Sequence, residues 1–305
     1  MYKLVSLFFL VSFVSFGQQS RGFEERPANV PIGNLYKGNN VISGVPAYIW
    51  HRGGGPTALG MVIGYYNLNG FPDLFPDNET TQTDAVNNSI ASYEHFVNYA
   101  SPVDYYPNIV MDRSENGDKP HQSNSIADFM KTSFSSMNNC WGWSWSNDVS
   151  TAFEEYVAYK SSSYSAYSDY EWYNSGSWKM YKSEIDNNRP VVILADSDGN
   201  GYTDHFVVGV GYNEMTNEYG VYDLWDQNVH WYTWQGMGQG IHFGIFGFNK
   251  FYIEKNTPGI VAHKSNNKTL VKILDYMGRE TTFKPNTSLI YVYDDGSTEK
   301  VFRIE

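Results

Sequence analysis

Apolar and polar positions follow two different periods along the chain. After Pro56, which is expected at a first helical position, apolar residues recur at helical spacing until the pattern stops near Asn69. The same spacing predicts helices over 125–135, 149–159 and 178–187. Short apolar runs bounded by turn residues then predict strands over 190–195, 205–212, 220–225, 229–234 and 243–253. Helices followed by an antiparallel sheet indicate an α+β domain, here 45–254, with one cleft between its helical half and its sheet.

The N-terminal residues have the pattern of a secretory signal peptide. Lys3 is followed by about a dozen apolar residues, and Gly17 comes directly before a polar stretch. The apolar run is too short to span a bilayer of roughly 30 Å comfortably, although a membrane anchor or a buried helix is the alternative. We therefore expect removal of 1–17, a linker over 18–44, and no integral membrane span in the mature chain.

The C-terminal residues form a separate, strand-rich module. A linker is predicted over 255–262, and the module 263–305 contains strands at 271–275 and 289–293, a hairpin turn at 294–297 and a return strand at 301–304. Through 274–280 and 295–305 this module resembles the sorting domains of the type IX secretion system. The resemblance implies export by that machinery to the cell surface or the medium. A small structural β-extension is the alternative.

Composition narrows the class of protein. With 21 Lys and Arg against 33 Asp and Glu, the formal net charge is −12, which argues against a nucleic-acid partner. Aromatic residues make up 17% of the chain, enough for a large core and for exposed stacking surfaces, above all over 164–178. A lid or a carbohydrate-binding surface is the interpretation of that stretch. Cys140 is the single cysteine, so no intramolecular disulfide can form.

The most informative segment is Gly53-Gly54-Gly55-Pro56-Thr57-Ala58. It resembles the papain-like peptidases of the C-39-like family, in which Gly-Cys-Gly-Pro-Thr-Ala opens the central helix. Downstream, 204–212 resembles the histidine strand of that family and 222–226 its orienting-acid strand. His205 follows position 54 by 151 residues, close to the usual papain-type separation, and Asp223 comes 18 residues later. The resemblance implies a papain-like fold and a peptide or protein substrate.

The chemistry of such a site explains its layout. A thiol at a helix N-terminus is stabilised as thiolate, a histidine acts as base and then as acid, and an Asn or Asp orients the ring. The resemblance assigns these last two roles to His205 and Asp223. Gly54, however, stands where the nucleophile belongs, and Tyr48 stands where the family usually has a glutamine as oxyanion donor. The sequence thus predicts a peptidase fold that keeps its peptide-binding cleft but has no hydrolytic activity.

Other interpretations remain open at this point. An unusual nucleophile or an altered copy of the sequence would also account for Gly54, whereas Cys140, in an aromatic stretch far from the helix start, is interpreted as an inert thiol. A carbohydrate-binding or adhesive surface module that uses the aromatic stretch is a second function class. A glycosidase with paired carboxylates is a third, but no acid pair stands out by its spacing.

An acidic loop lies directly before His205. Its oxygen-bearing residues occupy positions 1, 3, 5 and 9 of a calcium-loop pattern, with glycine at position 6: Asp196, Asp198, Asn200 and Asp204. Val207 replaces the glutamate of position 12, and a strand rather than a helix precedes the loop, so this is no EF-hand. The pattern predicts either a Ca²⁺ site between two strands or a polar β-turn whose side chains bond their own backbone.

Overall fold

The computed structural model describes residues 24–35, 40–76, 80–98, 122–132, 142–256, 270–275, 278–284, 286–293 and 298–301. The chain divides into two compact units, 1–256 and 257–305. Several sequence predictions lie outside the described residues: the signal peptide 1–17, Cys140, the linker residues 257–262 and the turn 294–297.

The first unit contains one largely buried helix, which packs against other helices and against the sheet. Within the described residues the helices are α1 Gly54–Leu68, α2 Asp84–Ile90, α3 Tyr93–Asn98, α4 Ile126–Phe129, α5 Ser146–Lys160 and α6 Ser177–Asp186. Every residue of α1 from Gly54 to Tyr66 is buried, and α1 packs against α2, α4 and α5. A helix that is covered on all sides belongs to the interior of a domain, so α1 holds its N-terminus in a fixed place.

The sheet of the first unit is antiparallel throughout its main path. Its strands are β1 Asn40–Val41, β2 Tyr164–Trp172, β3 Val191–Asp196, β4 His205–Asn213, β5 Glu218–Tyr222, β6 Val229–Thr233 and β7 Gly244–Lys255. They are ordered β2-β7-β3-β4-β5-β6, with β1 paired to β4. All residues of β3 and nearly all of β4 are buried, because α1 packs against both strands. The predicted α+β class is confirmed.

Local predictions differ from the structure at several element ends. Helix α1 begins at Gly54, so Pro56 is its third residue rather than its first. The helix predicted over 125–135 is wrong over 130–132, since α4 ends at Phe129 and Lys131 has a left-handed φ of 50°, and 133–135 lie outside the described residues. The strand predicted to reach residue 225 ends at Tyr222, because Leu224 has a φ of 67°. A left-handed residue cannot continue a helix or a strand.

Residues ahead of the helical half also pack onto the sheet. Asn34 pairs with Trp231 of β6 through two backbone hydrogen bonds of 3.2 and 3.0 Å. Val30, Ile42 and Val45 are buried. This part of the segment predicted as a linker therefore contributes to the first unit.

The second unit contains a small antiparallel sheet. Its described strands are β8 Leu270–Leu274, β9 Glu280–Thr281, β10 Leu289–Tyr293 and β11 Thr298–Val301, in the order β11-β10-β8-β9. The return strand predicted over 301–304 begins earlier, at Thr298, and residues beyond 301 lie outside the described part. Over the described ranges of the whole chain, no helix has the length and apolarity needed to cross a membrane.

Candidate active site at the start of α1

Three consecutive glycines form the helix side of the site, and they differ in the space around them. A Cβ on Gly53 would lie 2.8 Å from Pro56, and the φ of Gly53 is already 153°. A Cβ on Gly55 would lie 2.6 Å from Met130. On Gly54 the nearest atoms would be the backbone N of Phe206 at 3.6 Å and Nδ1 of His205 at 3.7 Å. Gly54 alone among the three has room for a side chain, and that side chain would face His205.

The first turn of α1 is tied down without a charged or side-chain cap. Thr57 Oγ1 donates to the carbonyl of Gly53 at 2.6 Å and accepts the N–H of His51 at 2.9 Å. The N-cap Gly53 makes no side-chain bond, and no acidic residue lies in the first turn. The first amides of a helix have no intrahelical acceptors, so the N–H groups of Gly54 and Gly55 add to the positive end of the helix dipole at the site.

His205 is the first residue of β4, and its hydrogen bond defines its tautomer. Its Nε2 lies 2.7 Å from the backbone carbonyl of Asp223. A carbonyl oxygen only accepts, so in the neutral ring Nε2 carries the proton and Nδ1 carries the lone pair. That lone pair is on the nitrogen nearest to position 54. The described residues contribute no hydrogen bond to Nδ1.

Burial keeps this imidazole neutral. His205 is 1% exposed, and desolvation lowers its pKa to about 4, against the smaller opposing effect of its bond to Asp223. The indole of Trp225 stacks on the ring, with centroids 4.1 Å apart and planes 3° from parallel. His205 is therefore an unprotonated, rigidly held acceptor near pH 7.

Asp223 meets His205 through its backbone rather than through its carboxylate. Its Oδ2 forms an ion pair with Arg26 and accepts the hydroxyl of Tyr232 at 3.3 Å. Its Oδ1 accepts the N–H of Trp225 at 3.2 Å. Asp223 follows the end of β5, whereas the sequence analysis placed it on a strand, and the atom that bonds to the imidazole is its main-chain oxygen.

The turn after β5 contains a strained residue, Leu224, whose conformation is supported by a hydrogen bond from Trp50. Leu224, with its φ of 67°, lies between Asp223 and Trp225, the two residues that contact His205. A bulky residue in the left-handed region persists only where its surroundings enforce that conformation. The N–H of Trp50 bonds to the Leu224 carbonyl at 2.7 Å and supplies part of this constraint.

Trp50 carries a further feature that the sequence analysis missed. Its indole Nε1 is buried and has no hydrogen-bond partner among the residues that the structure describes. The same edge of this indole, at Cζ2, lies 2.9 Å from the point that a Cβ on Gly142 would occupy, and Gly53 Cα lies 2.7 Å from that point. Buried donors without acceptors are rare, and this one lies beside the backbone of the helix start. Tyr48, in contrast, is fully buried with its ring stacked on Phe75.

The acidic loop brings three carboxylates together. One ligand oxygen from each of Asp196, Asp198 and Asp204 lies within 4.8 Å of the others. Asp196 accepts three backbone N–H groups of its own loop, Asp204 accepts the N–H and hydroxyl of Ser197, and Asn200 accepts the N–H of Tyr202. These are the bonds expected of a polar turn.

The carboxyl group of Asp204 in this loop is largely shielded from water. Burial, with smaller effects of Asp196 and Asp198, raises the pKa of Asp204 to about 7, although bonds from Ser197 oppose the shift. The turn bonds account for the loop geometry without an ion. The calcium site at Asp196, Asp198, Asn200 and Asp204 therefore stays a prediction.

The aromatic stretch does not form one exposed face. Most of it is β2, an edge strand, on which Tyr167 and Trp172 are about half exposed. Trp178 instead packs against the core, with its ring 5.0 Å from that of Trp234. The stretch therefore divides between an outer strand face and the interior.

Two residues near the site lay outside the sequence interpretation altogether. Arg26 precedes the predicted domain, and Trp50 precedes the glycine segment by three positions without a signature of its own. The one available signal for Trp225 was its position two residues after Asp223, within the resembling segment 222–226.

Comparison with known protein families gives a match to the central part of the chain. The family model described as "Peptidase_C39 like family" matches residues 42–242, about two thirds of the chain. The match includes Gly54, His205 and Asp223 and begins after Arg26. A search of curated proteins found no match.

Proposed function

Because the chain belongs to the Peptidase_C39 like family over residues 42–242, we propose that it binds peptide segments in a papain-like cleft without cleaving them. The observation that carries this proposal is the position of Gly54. A Cβ there would lie 3.7 Å from His205 Nδ1, so the two positions face each other as nucleophile and base do in such a site. Glycine supplies no atom that can attack a carbonyl.

The remaining polar groups suit a neutral peptide unit. The backbone amides at the start of α1 are donors, and they match a peptide carbonyl oxygen. Nδ1 of His205 is an acceptor, and it matches a peptide N–H. A peptide unit offers one acceptor and one donor, whereas a bare anion would place its charge against the lone pair of Nδ1.

Restoring the thiol tests this proposal directly. In Gly54→Cys the thiol proton would pass to His205 Nδ1, and the sulfur would bond to the substrate carbonyl carbon. The imidazolium would then return the proton to the leaving amine, and water would release the acyl group. We expect no turnover of fluorogenic peptides by the wild type, and turnover by Gly54→Cys that both iodoacetamide and His205→Ala abolish.

Two variants serve as matched controls. Gly54→Ala fills the same position without a thiol, so it is expected to remain inactive while still binding a peptide that Gly54→Cys cleaves. Wild-type hydrolysis that is lost on His205→Ala would show that the natural site is active after all. A folded but inert Gly54→Cys would contradict the assignment of position 54 opposite the base.

The proposal also includes export. Residues 1–17 act as a signal peptide, and 263–305 act as a type IX sorting module that brings the protein to the cell surface or the medium. The support is the apolar run after Lys3, the segment 274–280, and the small four-stranded sheet of the second unit. Deleting 263–305 should leave the protein in the periplasm of a type IX-competent host; unchanged arrival outside the cell would refute the role of the tail.

A further inference from the structure

Residues 24–35, which precede the family match, dock on the strand that borders the site. Besides the backbone pairing of Asn34 with Trp231, the N–H of Gly33 bonds to the hydroxyl of Tyr232 at 3.2 Å. The side-chain amide of Asn34 bonds to Glu218 at 3.2 Å. These contacts fix the path of the chain ahead of β1 and bring Arg26 to the site.

Arg26 is held by four groups at once. Its guanidinium pairs with Asp223 Oδ2, donates to the Pro31 carbonyl at 3.1 Å and lies 3.4 Å from the hydroxyl of Tyr232. Its Cζ lies 4.6 Å from the ring centroid of Trp225, a cation–π distance. The side chain of Arg26 is 15% exposed and that of Asp223 is fully buried. Arg26 therefore neutralises a carboxylate that has no contact with water.

Two of the four groups that hold Arg26, Asp223 and Trp225, also orient His205. The carbonyl of Asp223 accepts Nε2–H, and the indole of Trp225 stacks on the imidazole. Between them, Leu224 holds its left-handed φ of 67°. If the charge of Asp223 lost its partner, the carboxylate would move toward water and take the strained turn with it.

We infer that Arg26 is a positioning residue for His205, acting through Asp223 and Trp225 from outside the family-matched range. Its side chain contacts Asp223, Trp225, Tyr232 and Pro31. Its effect is to fix the tautomer and the plane of the imidazole, so that Nδ1 faces position 54. The inference rests on the proposed function only in taking His205 as the group that meets the ligand.

The test is an NMR comparison of the full-length protein and its variants, with His205 signals assigned from a His205→Asn spectrum. Stacking on an indole shifts imidazole carbon-bound protons upfield, and the nitrogen shifts report the tautomer. In Arg26→Gln we expect these protons to move downfield and the pure Nε2–H pattern to be lost. Arg26→Gln/Asp223→Asn should recover the wild-type signals, because a neutral amide needs no cation and leaves the orienting carbonyl in place.

Arg189 offers a matched control. It pairs with Glu184, which is 5% exposed, and its Cζ lies 5.1 Å from the ring of Tyr252. Arg189→Gln thus removes a comparable ion pair and cation–π contact away from the site, and it should leave the His205 signals unchanged. Equal shifts in both single variants would overturn the inference.

Other outcomes separate the inference from the proposed function. If Arg26→Gln does not fold, Arg26→Lys replaces it, because lysine keeps the charge without the planar guanidinium. A displaced His205 signal in Arg26→Lys supports the inference, and a wild-type signal opposes it. Wild-type His205 signals in Arg26→Gln overturn it. A wild type that binds no peptide would remove the proposed function but would leave the NMR result standing.

Discussion

The two sides of the candidate site differ in what they contribute. On the helix side, Gly53, Gly54 and Gly55 offer only backbone, and the amides of the first turn are the groups available to a ligand. On the sheet side, His205, Asp223 and Trp225 interlock with Arg26 through an ion pair, a carbonyl hydrogen bond and two ring contacts.

Under the proposed function, the difference from a hydrolytic site would be confined to one side chain. A Cβ on Gly53 or Gly55 would force neighbouring side chains to move, whereas a Cβ on Gly54 would lie in ordinary contact with His205. The space, the base and the helix terminus are all present. On the proposed function, the site would therefore lack the reactive group while keeping the space for it.

Removing Arg26 should damage the sheet side most. Arg26→Ala leaves the buried carboxylate of Asp223 without its cation, which costs about 3–5 kcal/mol of unfolding free energy. Lys131→Ala removes an exposed pair with Asp148 and should cost about 0–1 kcal/mol. Denaturant unfolding measures both. Similar costs for the two variants would mean that the Arg26 pair is not a buried one in solution.

The sheet side should also make stability depend on pH. The folded-state pKa of His205 is lowered to about 4 from 6.5, so below pH 6.5 the unfolded chain takes up this proton first. The contribution of neutral His205 to the unfolding free energy is therefore complete above pH 6.5. It is lost as the pH falls to 4, and the total loss is about 3 kcal/mol.

Denaturant unfolding between pH 4 and 7 checks this dependence. His205→Asn should show a shallower fall in stability, with the remainder including His51, whose pKa burial also lowers to about 4. If the wild type and His205→Asn lose stability in parallel, His205 titrates normally and is not buried in the neutral form.

The stability of the helix side should depend on the glycine that packs against its backbone, Gly142. Gly142 has a φ of 72°, and a Cβ there would lie 2.7 Å from Gly53 Cα and 2.9 Å from Trp50. Gly142→Ala should therefore lower the unfolding free energy by about 2–3 kcal/mol, through strain and overpacking together. Gly240, with a φ of 78° and open space around it, isolates the strain alone. If Gly142→Ala lowers the unfolding free energy no more than Gly240→Ala does, the start of α1 can move enough to accommodate the added methyl group.

Local sequence patterns were enough to predict part of this site. They could not predict the role of Arg26, because its contacts are with residues far away in the sequence. Gly54, His205 and Asp223 were found because each lies in a short segment that carries its own signature. Arg26 contacts Asp223 across 197 positions, and nothing in the residues around it indicates an ion pair. Its role follows from how 24–35 docks on β6, which is a tertiary property.

The errors in the fold have a similar origin. Leu224 and Lys131 end their elements with left-handed φ values, although neither residue type favours that region. Tertiary contacts impose the conformation, as the bond from Trp50 to Leu224 shows. Strand β2 was missed because its Tyr- and Ser-rich residues lack a clear alternation, and its pairing with β7 supplies the order.

The smallest predicted effect concerns the position that separates the two sides. Gly54→Ala adds a Cβ at ordinary contact distance from His205 and Phe206, at a helical residue whose φ is not left-handed. Alanine also reduces the freedom of the unfolded chain, so the unfolding free energy should rise by about 0.5–1 kcal/mol. Gly55→Ala, beside Met130, is the matched neighbour and should instead lower it. Denaturant unfolding of both variants decides the matter: if Gly54→Ala were the more harmful of the two, the space opposite His205 would be absent in solution, and an ancestral side chain at position 54 could not have fitted there.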